Sequence, residues 1–139
     1  MDMKKLFNLA SLVTVLATMS HLSGYNWLLK NANPPKVELS LGPLLHEESI
    51  KEGDDVYFEC DIQANPSFSR VQWFHNEAEL LHDPRSGQVI SGLSLVLRGL
   101  KRSHSGSYTC AASNLQGRTT SNAVLLTVKR KDFIYVKQR

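Results

Sequence analysis

The sequence predicts an all-β fold, built as a sandwich of two antiparallel sheets, and three observations predict it. Residues 34–128 contain seven to nine short segments in which apolar and polar residues alternate, as in strands with one buried face. Turn-forming residues separate the segments, and none has convincing helical periodicity. Both cysteines, Cys60 and Cys110, fall on inward-pointing positions of such segments. The chain has 139 residues, which is room for one domain of this kind.

The amino-terminal segment is typical of a targeting signal. Lys4 and Lys5 precede a mostly apolar run over residues 6–19. As a helix this run would extend only about 21 Å, which is less than the roughly 30 Å hydrocarbon core of a bilayer. The layout predicts a secretory signal peptide over residues 1–20, with a second, poorer cleavage position after Gly24.

The alternative interpretation is an uncleaved signal anchor that extends through residues 27–29. His21 and Asn26 interrupt that longer run, and both are costly to place in lipid, so the cleaved signal is preferred. In either case the domain faces an oxidising space, where a cysteine pair is more typical of a disulfide than of a redox or metal site. We therefore expect a secreted protein, or one at the cell surface if the segment is an anchor.

A polar linker over residues 21–33 ends at two prolines, and the predicted strands follow it along the chain. Their apolar positions alternate with polar ones, and Gly42 with Pro43 breaks the first strand. The predicted strands lie, in order, at residues 37–41, 56–62, 71–74, 78–81, 89–90, 93–97, 108–112 and 124–128. The predicted turns between them lie at residues 52–55, 65–67, 75–77, 83–87 and 116–117.

The cysteines and two aromatic residues have an informative joint spacing. If the strands of Cys60 and Cys110 lie in opposite sheets, about 10 Å apart, a disulfide can join the sheets. Such a bridge would stabilise the fold by roughly 4 kcal/mol in the chain-entropy model. Trp73 is placed to pack on the bridge, and the Tyr108 hydroxyl is placed to bond the backbone of the preceding corner. Leu97, on an inward position, belongs to the same predicted core.

These residues resemble the immunoglobulin superfamily over about residues 34–128. The segment 112–117 is similar to the Asn-x-x-Gly hairpin of intermediate-set (I-set) domains of cell-adhesion proteins. The resemblance implies an immunoglobulin-like Greek-key β-sandwich with an inter-sheet disulfide between the two cysteines. Such domains usually carry Asp where this chain has His104, so we expect the ion pair of that position with Arg85 to be absent, at little cost if the site is exposed.

A narrower resemblance rests on residues 34–37, 52–60, 64–66 and 73–76, which together are similar to an inner immunoglobulin domain of the insect sidestep family. Sidestep proteins are neuronal surface proteins that guide motor axons by binding beaten-path immunoglobulin receptors. The resemblance implies a role in cell adhesion or axon guidance and a beaten-path-like protein partner. Members of that family have several domains and a membrane span, so this chain resembles a short secreted paralogue, a splice form or an incomplete gene model.

The predicted partner surface is the outward side of the sheet that carries Trp73, the strand of Cys110 and the last strand. Phe74 is a large apolar residue expected to face outward among small residues, which suits a protein partner, and Leu80 and Leu81 would extend the patch. The alternative is that a neighbouring strand shields Phe74 and that it has no such role. The predicted outward residues are Gln72, Phe74, Thr109, Ala111, Ser113, Leu125 and Thr127.

The location of the charge argues against a nucleic-acid partner. The formal net charge is +3, but residues 34–128 hold 8 basic and 11 acidic residues, so the domain itself is mildly acidic. A polyanion-binding domain would concentrate lysine and arginine on its body. The excess of basic over acidic residues instead lies in the two ends, one of which is the tail over residues 129–139. This tail would dock on the sandwich, read into an intron-derived end or stay loose.

Catalytic and metal-binding patterns are not apparent in the sequence. The histidines of the domain are scattered through turns and are expected to be solvated, and no glycine-rich phosphate loop or paired-histidine motif occurs. The acidic residues between 47 and 55 lack the spacing of a calcium loop. We therefore predict a protein that is not an enzyme, with no cofactor, metal or small-molecule substrate. The proline in Asn65-Pro66-Ser67 excludes the one potential N-glycosylation sequon.

Two other function classes remain open at this point. One is an intracellular, structural I-set module, as in giant muscle proteins, against which the predicted signal peptide and the cysteine pair argue. The other is a secreted defence or ligand-scavenging module, which only a screen for partners separates from adhesion.

Overall fold

The computed structural model describes residues 30–42 and 46–132, and it confirms the predicted all-β sandwich. The predicted signal peptide, most of the predicted linker and residues 133–139 of the tail lie outside the described residues. Three one-turn 3₁₀ helices, Glu47–Ser49, Pro84–Ser86 and Arg102–His104, lie between strands. The strands are β1 (Asn33–Leu41), β2 (Val56–Asn65), β3 (Arg70–His75), β4 (Ala78–Leu80), β5 (Gln88–Ser91), β6 (Ser94–Leu97), β7 (Gly106–Asn114), β8 (Gly117–Thr120) and β9 (Val124–Leu126).

The strands form two sheets. The first sheet has the order β1-β2-β6-β5, and the second has the order β4-β3-β7-β8, with β9 pairing with β7 beyond β8. Pairing is antiparallel within β2, β5 and β6 and throughout the second sheet. The strands of Trp73, Cys110 and Leu125 therefore share one sheet, as the sequence analysis expected.

The core lies between the sheets and is built from alternate residues of the strands. On β2, for example, Val56, Phe58 and Cys60 are buried, whereas Glu59 and Asp61 are exposed, so one side of the strand faces the core. The buried residues of this core are Val37, Leu39, Ile50, Val56, Phe58, Cys60, Trp73, Leu95, Leu97, Leu100, Tyr108, Cys110, Ala112, Leu126 and Val128.

The predicted disulfide is confirmed. Cys60 on β2 and Cys110 on β7 are bonded, with 6.3 Å between their Cα atoms, and the bond joins the two sheets. Trp73 lies directly across from Cys110 in the register of β3 and β7 and is buried. The Tyr108 hydroxyl donates to the backbone carbonyl of His104 at 2.6 Å, and its ring stacks on Phe58 with 4.7 Å between the centroids. Burial raises the pKa of the Tyr108 phenol above its ordinary value.

The structure corrects the end of the strand pattern. Between residues 117 and 128 the sequence predicted one strand, but the structure has two, β8 and β9, which pair with successive halves of β7. Residues 118–121 are all polar and provide no alternation that marks a strand. Backbone pairing with β7 forms β8 despite this. Ser121, which follows β8, also contacts β7, because its Oγ accepts from the Cys110 N–H at 3.0 Å.

Candidate functional site

The candidate site is the solvent-facing side of the second sheet, which we call the outer face. Successive side chains of a strand point to opposite sides, so the residues that alternate with buried Trp73, Cys110 and Ala112 point away from the core. The outer face consists of Arg70, Gln72 and Phe74 on β3, Glu77 in the β3–β4 turn, Glu79 on β4, Ser107, Thr109, Ala111 and Ser113 on β7, Arg118 and Thr120 on β8, and Leu125 on β9.

Small side chains along β7 make the floor of the outer face. Because serine, threonine and alanine project little, the longer residues of the neighbouring strands stand above them, and two open depressions result. The larger has a volume of about 460 Å³, and its lining residues are Asn76, Glu77, Ser107, Thr109 and Ala123. The smaller has a volume of about 190 Å³, and its lining residues are Phe74, Glu77, Thr109, Arg118 and Thr120.

Phe74 is half-buried rather than bare. The guanidinium carbon of Arg118 lies 5.5 Å from the centre of its ring, which is within the range of a cation–π contact. The side chain points outward, as its position on β3 predicted, but part of its ring is covered from β8. Phe74 therefore presents a ring together with a cation, not an isolated apolar surface.

Leu125 is the large apolar side chain that the outer face leaves exposed. It is 68% exposed and lies opposite Ser107 in the register of β7 and β9. Gln72, Thr109 and Ser113, the other predicted contact residues with accessible side chains, are partly exposed. An exposed leucine beside small polar residues is a suitable contact for another protein surface.

Two expectations for this surface are wrong. Ala111 is only 1% exposed, because its single methyl group lies between the longer cross-strand neighbours Gln72 and Thr120. Leu80 packs against the core rather than extending the outer patch, because it pairs with inward-facing Trp73. Leu81, which follows it, is exposed.

A small polar network lies at the β4 side of the outer face. Glu79 Oε1 accepts from Gln72 Nε2 at 3.1 Å and from Arg70 Nη2 at 3.3 Å. The ion pair of Arg70 with Glu79 is solvent-exposed, so it contributes about 1 kcal/mol at most to stability. Its consequence is local: the Glu79 carboxylate is already engaged within the chain.

The turn between β3 and β4 places a carboxylate over both depressions. Its central residues, Asn76 and Glu77, have positive φ angles of 47° and 70°. The turn is tied to β7, since Asn76 Oδ1 accepts from the Ser107 N–H at 3.0 Å and the Asn76 N–H donates to the Ser107 carbonyl at 2.8 Å. The left-handed conformation suits asparagine or glycine but costs a glutamate roughly 1–2 kcal/mol.

Two histidines that were expected to be solvated contact the corner before β7: His75 at the end of β3, and His104 in the corner itself. His75 is half-buried, its ring stacks on Tyr108 with 4.4 Å between the centroids, and its Nε2 lies 3.0 Å from the Ser105 carbonyl. His104 Nδ1 accepts from the Lys101 N–H at 2.8 Å. Burial and then the nearby charge of His75 lower the pKa of His104. These contacts are structural, because both rings engage the backbone of the corner.

Two acidic residues of the 47–55 segment accept hydrogen bonds from backbone N–H groups. Asp54 Oδ2 accepts from the Lys51 N–H at 3.0 Å, and Asp55 Oδ1 accepts from the Gly99 N–H at 2.8 Å. Within residues 30–42 and 46–132, no group of three or more histidine, cysteine, aspartate or glutamate side chains is arranged to hold a metal ion. In the same part of the chain, no helix has the length and hydrophobicity needed to cross a bilayer.

Comparison with known proteins agrees with the two-sheet architecture and its bridge. The family model of the immunoglobulin domain matches residues 34–114, which is more than half of the chain. The chain belongs to the immunoglobulin domain family. Immunoglobulin domains of this kind occur in adhesion proteins and in structural proteins.

The relatives of this immunoglobulin domain are much longer proteins. Mouse "Cell adhesion molecule-related/down-regulated by oncogenes" is 36% identical over 75 residues, which are 54% of this chain and 6% of that protein. The mouse nectin-like molecule 4 ectodomain has a TM-score of 0.58 at 23% identity, covering 73% of this chain and 32% of that one. An I-band fragment of titin has a TM-score of 0.57 at 29% identity, and the match covers 70% of this chain and 33% of the titin fragment.

The relatives fall into two functional groups. Most are cell-surface or extracellular proteins with immunoglobulin-like domains, and muscle proteins such as titin are also among them. Immunoglobulin domains of adhesion molecules generally bind protein partners. The choice between the groups therefore depends on the surface and on the redox environment of this chain.

Proposed function

We propose that this immunoglobulin domain is an extracellular recognition module of the cell-adhesion type, which binds a protein partner through its outer face. The observation that carries the proposal is Leu125, an exposed leucine beside a floor of small side chains on β7. An apolar contact surrounded by polar groups is the usual form of a protein interface. The proposed contact residues are Gln72, Phe74, Thr109, Ser113 and Leu125, whereas buried Ala111 supports the floor beneath them.

The disulfide supports the extracellular part of the proposal. Bridges between strands of this kind form and persist in oxidising compartments, and Cys60 and Cys110 are bonded in the core. We further propose that the domain is I-set and sidestep-like, acts in axon guidance and is secreted or held at the cell surface. Its partner would then be another immunoglobulin-superfamily protein, with a beaten-path-like receptor as the first candidate. The resemblance carried by residues 52–60 and the 112–117 hairpin supports this finer proposal.

The test is binding of the purified chain to a panel of immunoglobulin-superfamily receptors that includes beaten-path-like proteins. Leu125→Arg places a charge on the outer face without removing core packing, and we expect it to weaken binding at least tenfold, or about 1.4 kcal/mol. Phe74→Arg should have the same effect. Leu115→Arg is the matched control, because Leu115 is 93% exposed at the tip of the β7–β8 turn, away from the outer face.

The result decides the proposal directly. Binding that is lost with Leu125→Arg and kept with Leu115→Arg supports recognition through the outer face. Equal binding of all variants contradicts this surface, and failure of every receptor to bind contradicts the proposed partner class. Unchanged unfolding midpoints would show that the variants fold, so that a loss of binding reports the surface alone.

A second candidate function is a structural module inside the cell, which the similarity to titin favours. It predicts reduced cysteines in the natural protein, whereas the extracellular proposal predicts a disulfide. Alkylation of protein from its natural source, with and without prior reduction, distinguishes the two by mass. Thiols that react without reduction would favour the structural module.

A further inference from the structure

The charges of the outer face are balanced and only partly engaged. Two arginines and two glutamates lie on it, namely Arg70, Arg118, Glu77 and Glu79. Arg70 pairs with Glu79 at 3.3 Å, and in the part of the chain that the structure describes this is the one ion pair. Among the described residues, Glu77 and Arg118 thus have no oppositely charged partner within 4 Å, although both line the smaller depression. A face with no net charge does not repel a second copy of itself.

The arrangement of Glu77 and Arg118 is self-complementary. Glu77 lies in the β3–β4 turn and Arg118 lies on β8, so they occupy opposite sides of β7. A two-fold axis that lies in the plane of the face, midway between them, brings Glu77 of one copy to Arg118 of the other. By symmetry the reciprocal pair forms at the same time. One docking geometry therefore satisfies both charges.

The backbone at Glu77 supports a role for this side chain. Its φ of 70° is unfavourable for a residue other than glycine or asparagine, and the turn would be easier to form with glycine there. Unfavourable backbone conformations are concentrated at binding sites, where the position of a side chain matters more than local stability. Here the conformation holds a carboxylate at the border of both depressions.

The size of the face indicates how strong such a contact is. The face is four strands wide, and β7 has nine residues, so its area is about 600 Å² per copy from ordinary strand spacings. Stable complexes bury about 800 Å² per partner, and smaller contacts are transient. Exposed Leu125 contributes apolar area, and the low floor of β7 lets the two faces approach closely.

We propose that the outer face binds a second copy of this chain, as a weak symmetric dimer with reciprocal ion pairs between Glu77 and Arg118. The inference rests on the proposed function and names the partner of the same face. The chain would then adhere to itself through the surface that also recognises its receptor, so dimer and receptor complex compete for Leu125.

The test is sedimentation velocity of the full chain over a wide concentration series. We expect a reversible dimer for the wild type, and at least tenfold weaker association for Glu77→Arg and for Arg118→Glu, because each variant opposes like charges in both pairs. Mixing the two variants restores both opposite-charge pairs, so we expect a heterodimer of near wild-type affinity. Glu38→Arg, an equal charge change at an exposed position of β1 in the first sheet, is the control and should leave the dimer unchanged.

The outcomes separate this inference from the proposed function. A wild-type chain that stays monomeric throughout the series overturns the dimer, and so does a variant mixture that fails to associate. If such a monomer still binds a receptor, and Leu125→Arg abolishes this binding, the proposed function stands without the dimer. Restoration in the mixture also excludes misfolding as the reason for the loss in each single variant.

Discussion

At the scale of single residues, Glu77 in the β3–β4 turn lowers stability through its positive φ but places a carboxylate at the outer face. Glycine at position 77 would adopt the positive φ without strain, although it loses more backbone entropy on folding. We expect Glu77→Gly to raise the free energy of unfolding by up to about 1 kcal/mol, as measured by urea denaturation, and to weaken self-association. Asn76→Gly is the matched control, since it removes the side-chain bond to the Ser107 N–H and should destabilise by about 1 kcal/mol. A lower stability of Glu77→Gly would contradict this interpretation of the turn.

His104 makes the stability of the domain sensitive to acid. Its Nδ1 accepts from the Lys101 N–H, and burial and the charge of His75 lower its pKa below the ordinary 6.5. The unfolded chain then binds the proton more readily than the folded one. The contribution of His104 is therefore fully present above about pH 6.5 and is lost as the pH falls through the lowered pKa.

The acid sensitivity is tested with His104→Asn. Asparagine keeps an acceptor for the Lys101 N–H but does not titrate, so we expect the variant to lose part of the fall in unfolding free energy between about pH 7.5 and pH 5. Urea denaturation across this range measures the slope. The titratable groups that act on the ring are His75 from β3 and Lys101, whereas the Tyr108 hydroxyl bonds the backbone carbonyl of His104. An unchanged slope in the variant would assign the acid response to other residues.

At the scale of elements, each edge strand of the first sheet has one residue whose backbone is bonded by a side chain from another segment. On β1, the Leu39 N–H donates to Asn122 Oδ1 and Asn122 Nδ2 donates to the Leu39 carbonyl, each at 2.9 Å. On β5, the Ile90 N–H donates to His82 Nδ1 at 3.1 Å. Since an uncovered edge pairs readily with another chain, these contacts oppose pairing of a second chain at Leu39 and Ile90.

The edge contact on β1 predicts the effect of Asn122→Ala. The variant loses both bonds to Leu39, so we expect the free energy of unfolding to fall by about 1–3 kcal/mol and aggregation on heating to increase. Denaturation and light scattering measure the two effects. Thr127→Ala, at another exposed position, should change neither quantity. A similar loss in both variants would show that the two bonds of the Asn122 amide are not the cause.

At the scale of the whole molecule, the bond between Cys60 and Cys110 is the covalent link between the sheets. Replacing both cysteines with alanine should lower the free energy of unfolding by about 2–5 kcal/mol, because the unfolded chain is no longer restricted by a closed loop. Urea denaturation of the double variant and of the reduced wild type should give similar values. A loss well below 2 kcal/mol would assign the stability of the sandwich mainly to its apolar core.

The extent of correct prediction differs between the core and the site. Strands such as β2 and β3 were predicted because each has one dry side, and burial imposes an alternation that is visible in the residues. The short polar strand β8 has no such pattern and was missed. Leu125 was correctly placed on the surface by its position between inward-facing neighbours. The same rule placed Ala111 outward but did not reveal that its neighbours cover it.

The alternation of apolar and polar residues, the turn residues and the spacing of two cysteines were therefore enough to predict a bridged β-sandwich. The alternation is visible in the sequence because one side of each such strand is buried. Which side chains of the outer face are exposed could not be predicted from neighbouring residues in the sequence. Several contacts of this face join residues that are far apart in the chain. Arg118 packs on the Phe74 ring, Asn76 bonds Ser107, and Glu77 and Arg118 line the same depression. Such contacts depend on the pairing of strands, so they became visible only once β3, β7 and β8 were aligned.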